Sequence, residues 1–490
     1  MKNKLIYAIF VGALFLTSCG EEFLQSEPTE FLTEDQLEDI GVNNPELLAG
    51  TVSGIYTIMI NVESGGVTDS HTDFGQKGFD IFSDMLCGDM ALTTNQYGWY
   101  GRIAELQSTQ NFANNDNYMG WRYYYRIVRS ANQVISTLGG NDAIPENDQN
   151  KILMGQAKAL RGYAYFYLTQ LYAREYEPSR EILPLYISTD QQSLPKSTTA
   201  DVYALIEKDL TEAISLLANF ERTSKVQINQ YVAKGLLAYT YGAMGRDAEV
   251  KTLTEDIINN GGFTVATAAQ LTGGFNDLNA SPNWMWGFDL TLNQGLDLVS
   301  WWGQMDLFTY SYAWAGDQKA IDRDLYTSIP ANDVRKAQFS TNGSYLLMPL
   351  NKFFAPARVI GQQREVITDY LYMRVDEMHL LNAEASAKSG DEAGARTRLK
   401  NFLSVRVPNT DYVDALSGQN LLNEIYKQTR IEFWGEGKSY LAMKRNKATV
   451  KRGSNHLFLP GQEFLYNDPN LILNIPPAEI LNNIDINDQN

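Results

Sequence analysis

Two cysteines, Cys19 and Cys87, are all that the 490 residues carry. No disulfide framework is available, and a chain of this size does not need one, because dependence on such staples belongs to small domains. Histidine is nearly as scarce. His71, His379 and His456 stand far apart, and no HExxH or paired Cys/His spacing marks a zinc centre. Cys87 has no visible base beside it and no G-x-S-x-G elbow occurs, so nucleophilic catalysis lacks its parts. Basic residues are few: 40 Lys and Arg stand against 58 Asp and Glu, for a net charge of −18. With no basic stripe, the chain is not built for nucleic acid, and anionic lipid repels it too. The longest apolar run is shorter than the roughly 20 residues that span a bilayer.

That run has a different use. Residues 2–4 are "KNK", followed by "LIYAIFVGALFL" and then "LTSC" ending at Cys19. A charged start, a short apolar segment and small residues are the layout of an export signal. "LTSC" resembles the lipobox of bacterial lipoproteins, in which the cysteine is lipidated and becomes the mature N-terminus. Several acyl chains hold a protein on a bilayer durably where one does not. Cleavage by an ordinary signal peptidase near Cys19, or a retained membrane helix, are the competing readings. The expected division is a signal peptide over 1–18, a lipidated tether over 19–32, helical repeats over 33–261, a loop-rich aromatic region over 262–351 and a helical C-terminal region over 352–490.

What the chain has in quantity is aromatic side chains with a polar edge: 28 tyrosines and eight tryptophans. Hydrophobic periodicity of helical type dominates. "TEDQ" at Thr33–Gln36 is a candidate capping box, with a helix expected onward through Leu48. Helices are expected over 120–138 and 151–173. A further helix opens on a Thr198–Asp201 cap, one covers "INQYVAKGLLAYTYGAMG", and one ends at Gly261–Gly262. Small residues interleave with aromatics, in the manner of tetratricopeptide-like repeats. From Gly262 to about Asn351 the periodicity fades and aromatics cluster. Helices resume over 370–390, over 391–406 and, as one element, over 420–446. The fold class is therefore predominantly α-helical, a tetratricopeptide-like scaffold with an irregular aromatic-rich elaboration.

Several segments then resemble, in order, the SusD/RagB family of surface lipoproteins of Bacteroidetes-type bacteria. They are "RGYAYFYLTQLY" from Arg161, "YVAKGLLAYTY" from Tyr231, "YMRVDEMHLLNAEA" from Tyr372, "RIEFWGEGKSYLAMKR" from Arg430 and "IPPAEI" from Ile475. Ser439, Ala442 and Asn474 depart from the pattern. The resemblance implies a non-catalytic binder of oligosaccharide or polysaccharide, or else of peptide. It also implies a TonB-dependent, SusC-like transporter as partner and a lipid anchor in the outer membrane, facing outward. Glu21 and Glu22, just past the cysteine, resemble a surface-export signal of these bacteria. No cofactor is implied. A structural calcium has weak candidates in "NDNYMG" from Asn115 and in Asp322–Asp324.

A glycan site needs flat rings for sugar faces and polar groups for hydroxyls. Two stretches offer both. The first gives Trp99 and Tyr100 beside Asp84, Asn95 and Arg102; the second gives Trp301, Trp302, Tyr312 and Trp314. Of the neighbours Trp301 and Trp302, one is expected to face inward and one outward. Neutral glycans fit better than anionic ones, since no local basic patch is visible. The carboxylates Glu377, Glu384, Glu432 and Glu436 are read as partners of Arg374 and Arg430 that brace the fold. A glycosidase pair is the competing reading. A structural helical-repeat lipoprotein is a further alternative.

Overall fold

A computed structural model of the chain describes residues 44–490. The signal peptide, Cys19, Glu21, Glu22 and the Thr33 capping box lie outside the described residues. The longer helices, numbered in chain order, are α1 Pro45–Ile58, α2 Gln76–Leu86, α3 Asn115–Thr137, α4 Asp148–Tyr172, α5 Thr199–Leu216, α6 Gln230–Met244, α7 Asp247–Asn260, α8 Val375–Lys388, α9 Glu392–Leu403, α10 Gly418–Glu432 and α11 Lys438–Arg445. From α3 to α9 each helix packs on the next, giving one continuous helical stack.

Local chemistry explains the helix ends. Asn147 caps α4 by accepting from the Gln149 and Asn150 amides, and Thr198 caps α5 by accepting from Asp201 N at 3.2 Å. The α6 helix stops at Gly245, in left-handed backbone at φ 74°. Glycines on α4 let the neighbour approach: a Cβ on Gly155 would lie 2.8 Å from Leu217, and one on Gly162 3.0 Å from Leu210. The tyrosines Tyr123 and Tyr124 of α3 are fully buried, and Tyr124 donates to Gln76 at 2.9 Å.

The helix α7 packs directly on α8 although residues 261–374 separate them. That stretch is an excursion from the stack, fastened by short antiparallel strands. Strand β1 (Met90–Leu92) pairs with β5 (Lys319–Ile321), and β4 (Trp284–Phe288) pairs with β6 (Tyr370–Arg374); β2 (Glu181–Pro184) and β3 (Lys196–Thr198) pair elsewhere.

Two helical expectations need correction. Residues 370–374 form β6 rather than the start of α8; aromatic residues suit a strand, and all five positions are buried against β4 and the stack. The segment expected as one helix over 420–446 breaks between α10 and α11. Gly435 and Gly437 adopt φ 81° and φ 73°, and a Cβ there would strike Phe353 at 2.5 Å and Asp80 at 2.7 Å.

Buried ions hold the excursion to the stack. Arg335 and Lys352 of the excursion pair with Glu432 and Glu436, and Arg374 and Arg406 join them with Asp333 and Asp376. Glu384 is held by Arg445 and Lys388, Arg430 pairs with Asp89 at 2.6 Å, and Tyr239 donates to Glu377. Glu377, Glu384, Glu432 and Glu436 are all engaged within the fold, but only Glu432 and Glu436 meet Arg374; Arg430 turns to Asp89, and Glu377 and Glu384 take partners other than those expected.

Candidate functional site: an aromatic surface built around a buried carboxylate

The pairing of β1 with β5 continues beyond both strands. Thr93 N donates to Gln318 O at 2.9 Å and Gln96 N to Gly316 O at 3.2 Å. The chain then turns around Asp317. Its buried carboxylate accepts from Tyr97 N at 2.7 Å and from Trp99 N at 3.1 Å. Gly98, at φ 91°, permits the turn. Tyr97 is thereby presented outward, 58% exposed, while Trp99 is half-buried against the core.

Asp317 is itself placed by a short helix, Tyr312–Ala315, which Ser311 caps by accepting from Trp314 N. Tyr312 lies edge-on to Trp99 at 5.8 Å and to Tyr97 at 5.4 Å. His71 stacks on Trp99 with ring centroids 4.7 Å apart and planes 3° from parallel, and it shares a hydrogen bond with the Tyr312 hydroxyl. Burial lowers the His71 pKa, with Asp297 and Asp69 acting against it, so the imidazole is neutral at neutral pH. Beneath the rings lies Lys319, whose ammonium donates to Gln304 O, Gln304 Oε1 and Asp317 O at 3.0–3.3 Å. Burial pulls its pKa down to about 7, against the pull of Asp317. Gln304 in turn donates to His71 O at 2.8 Å, which ties the His71 loop to the same centre.

Trp314 completes the surface. It is 43% exposed and packs on Gly361, where a Cβ would come 3.1 Å from the ring. Tyr310 lies 5.7 Å away, and the Arg364 guanidinium covers Tyr310 at 4.0 Å. Beside them opens a cavity of about 440 Å³ lined by Leu296, Asp297, Tyr310, Arg364 and Glu365, among others. Two groups of rings make up this ring surface, His71, Tyr97 and Trp99 around the buried Tyr312 and, apart from them, Tyr310 with Trp314. With acid, base and amide groups nearby, such rings can cover flat apolar faces and bond the hydroxyls at their rims.

Residues 22–241 match a family model described as starch-binding and associating with the outer membrane, and residues 308–474 match the model of the SusD family. The chain belongs to the SusD family. A SusD-like protein of Formosa agariphila is 26% identical over 180 residues, a stretch that spans 35% of this chain and 30% of that relative's length. Among solved structures, a SusD-like carbohydrate-binding protein of Bacteroides vulgatus superposes with a TM-score of 0.77 at 22% identity, covering 90% of this chain and 97% of its own. Surface glycan-binding protein A of Bacteroides thetaiotaomicron, in complex with laminarihexaose, superposes with a TM-score of 0.68 at 15% identity over 91% and 99% of the two chains.

Of the sequence candidates in this SusD-family chain, Trp314 is exposed and Trp99 half-buried, while Tyr312 is buried, 6% exposed, and backs Trp99 and Tyr97 from within. Tyr100 does not: it turns inward, 3% exposed, under the Lys319 ammonium at 5.1 Å. Asp84 is fully buried, accepting from Gly435 N at 2.7 Å in the break between α10 and α11. Trp301 and Trp302 are both buried rather than split. Every residue from 301 to 309 is enclosed, and Trp301 packs edge-on against Phe353 at 4.7 Å. Asn95 is half-buried against Gly101, and Arg102, though exposed, lies 3.6 Å from Asp116. Of the candidate calcium carboxylates, Asp116 accepts from Ser108 and Asp322 from backbone amides and His456, while Asp324 is exposed.

Sequence reasoning missed His71, Tyr97, Tyr310 and Arg364. Tyr97 carried a signal, because it lies in the same aromatic stretch as Trp99. His71 and Arg364 carried none, since they join the surface only through the fold.

Proposed function

We propose that this protein captures oligosaccharide or polysaccharide at the cell surface without chemical turnover and delivers it to a TonB-dependent, SusC-like outer-membrane transporter. The observation that carries the reading is Trp314, a large ring left exposed on a glycine backing within a cluster of fixed rings. Proteins rarely fix exposed aromatics together unless something covers them. The laminarihexaose complex of surface glycan-binding protein A, a neighbour of similar fold, supports a glycan as that ligand. A hydrolase reading needs two carboxylates flanking an accessible bond. The sequence candidates for that role, Glu377, Glu384, Glu432 and Glu436, are buried and engaged by protein donors.

Calorimetry of the purified protein against oligosaccharides and peptides tests the reading. At least one glycan class should bind, and Trp314→Ala should weaken it about tenfold or more with an unchanged melting temperature, the loss expected of a stacking anchor. Absence of glycan binding, or wild-type affinity in Trp314→Ala, would overturn it; binding of peptides alone would transfer the same surface to peptide capture.

Location belongs to the same proposal. Lipidated Cys19 would anchor the chain in the outer membrane and Glu21 with Glu22 would direct it to the outer face. Cys19→Ala is expected to release the protein from membranes. The double change Glu21→Ala, Glu22→Ala should keep lipidation but reduce protease accessibility on intact cells, and unchanged accessibility would refute the export role.

A further inference from the structure

The stretch Arg358–Arg364, "RVIGQQR", carries an arginine at each end and packs at its centre, Gly361, against Trp314. The two arginines open onto different cavities. Arg364 shares its cavity with Asp297 and Glu365, so the local charge there is not positive. Arg358 lines a second cavity, of about 520 Å³, together with Lys336, Thr341, Asn342, Asn351 and Asp333. Its one carboxylate, Asp333, is buried and fully engaged by Arg335, at 3.0 Å and 2.6 Å. This leaves a net positive cavity in a chain of net charge −18.

Arg358 is held ready although it is exposed. Its guanidinium packs on the rings of Phe354 at 4.2 Å and Phe308 at 4.9 Å. Nη2 donates to Asn351 at 2.8 Å, while among the described residues Nε and Nη1 have no acceptor and no carboxylate pairs with the group. The residue sits at φ 48°, a backbone region that costs a non-glycine residue free energy and persists only where the surroundings enforce it. Lys336 is fixed too, over the Tyr326 ring at 4.8 Å with Ile329 O as acceptor. A pre-positioned fork with free donors is the group that reads a carboxylate or sulfate bidentately.

The cavity lies near the ring surface. Arg358 stands three residues from Gly361, a backbone reach of about 10 Å at most. Ser344 O, in the loop that carries Thr341 and Asn342, accepts from Gln318 Nε2 at 3.3 Å, and Gln318 belongs to the strand extension behind Tyr97.

We propose that the Arg358 cavity is a subsite for an anionic substituent, carboxylate or sulfate, on a glycan whose neighbouring residues lie on Trp314, so that the protein selects acidic over neutral polysaccharide. This rests on the glycan-binding reading above, and it replaces the expectation of a neutral ligand, which saw no basic patch because the patch forms around Arg358 and Lys336 only on folding.

Two pairs of probes test it by calorimetry: oligouronides against their methyl esters, and sulfated oligosaccharides against their desulfated counterparts. In at least one pair the anionic member should bind about tenfold more tightly, a preference that shrinks as ionic strength rises. The pair that shows it identifies carboxylate or sulfate. Arg358→Gln should remove the preference while neutral binding and melting temperature stay at wild type, and Arg358→Lys should restore part of it. Equal binding within both pairs, or a preference that survives Arg358→Gln, would overturn the subsite while leaving glycan capture standing. Failure of every probe and every neutral glycan to bind would instead remove the glycan reading itself.

Discussion

Glu432→Ala is expected to cost about 3–5 kcal/mol of stability, the cost of leaving buried charge unpaired. Glu432 receives Arg374 at 2.7 Å, Arg406 at 2.7 Å through both Nε and Nη2, and Arg335 at 3.1 Å, with every partner buried. Asp333, Asp376, Glu432 and Glu436 balance Arg335, Arg374, Arg406 and Lys352, so the variant leaves a net buried cation. The excursion bearing the ring surface hangs on these pairs through Arg335 and Lys352, and its binding should weaken with the fold. Denaturant titration measures the cost, and a difference below 1 kcal/mol would contradict this account. The sign of the pH dependence is fixed. Burial alone would raise the Glu432 pKa, but Arg406 and Arg374 overcome it and hold the group well below the usual carboxylate range. Glu384 behaves alike, held near 2 by Arg445 and Lys388 against its burial. A lowered folded pKa gives stability that is complete above the ordinary carboxylate value of 4.5 and lost as pH falls from there toward the folded value. Wild type should therefore lose stability steeply below about pH 5, and the gap to Glu432→Ala should narrow there.

The helical frame was legible because its determinants are local: a cap at Thr198, glycines facing Leu210 and Leu217 on the adjoining helix, and a helix stop at Gly245. The order of family-like segments added the architecture. Where reading failed, distant partners decide. Tyr370–Arg374 looks like the lead-in to a helix until Trp284–Phe288 is beside it. Gly435 and Gly437 are tolerable in a helical pattern until Phe353 and Asp80 crowd them. Trp301 and Trp302 have the composition of a binding patch, yet their neighbours on all sides bury them. Composition marks which stretches are rich in rings; the facing of a ring is set by distant contacts, more than 200 positions away for Asp317 on Tyr97 or His71 on Tyr312.

Asp317→Ala should weaken glycan binding at least as much as Trp314→Ala, although Asp317 is buried beneath the rings. Its carboxylate fixes the amides of both Tyr97 and Trp99. Hydrogen bonds to a charged group are worth about 1.5–3 kcal/mol each, and losing both also leaves two part-buried donors without their acceptor. Lys319 loses its nearest acid at the same time; its pKa, already lowered to about 7 by burial, should fall further and leave the amine neutral. Asp317→Asn should fare little better, because the amide presents an N–H to one of the two backbone donors. A stability loss of about 2–4 kcal/mol is expected alongside a hundredfold loss of affinity. A double-mutant cycle separates positioning from general damage. In a background where Tyr97 and Trp99 are already alanine, removing Asp317 should cost little further affinity, because the rings it holds are gone. Additive losses would show that Asp317 acts on the ligand by another route, and that the turn from Tyr97 to Trp99 does not depend on the carboxylate it encloses.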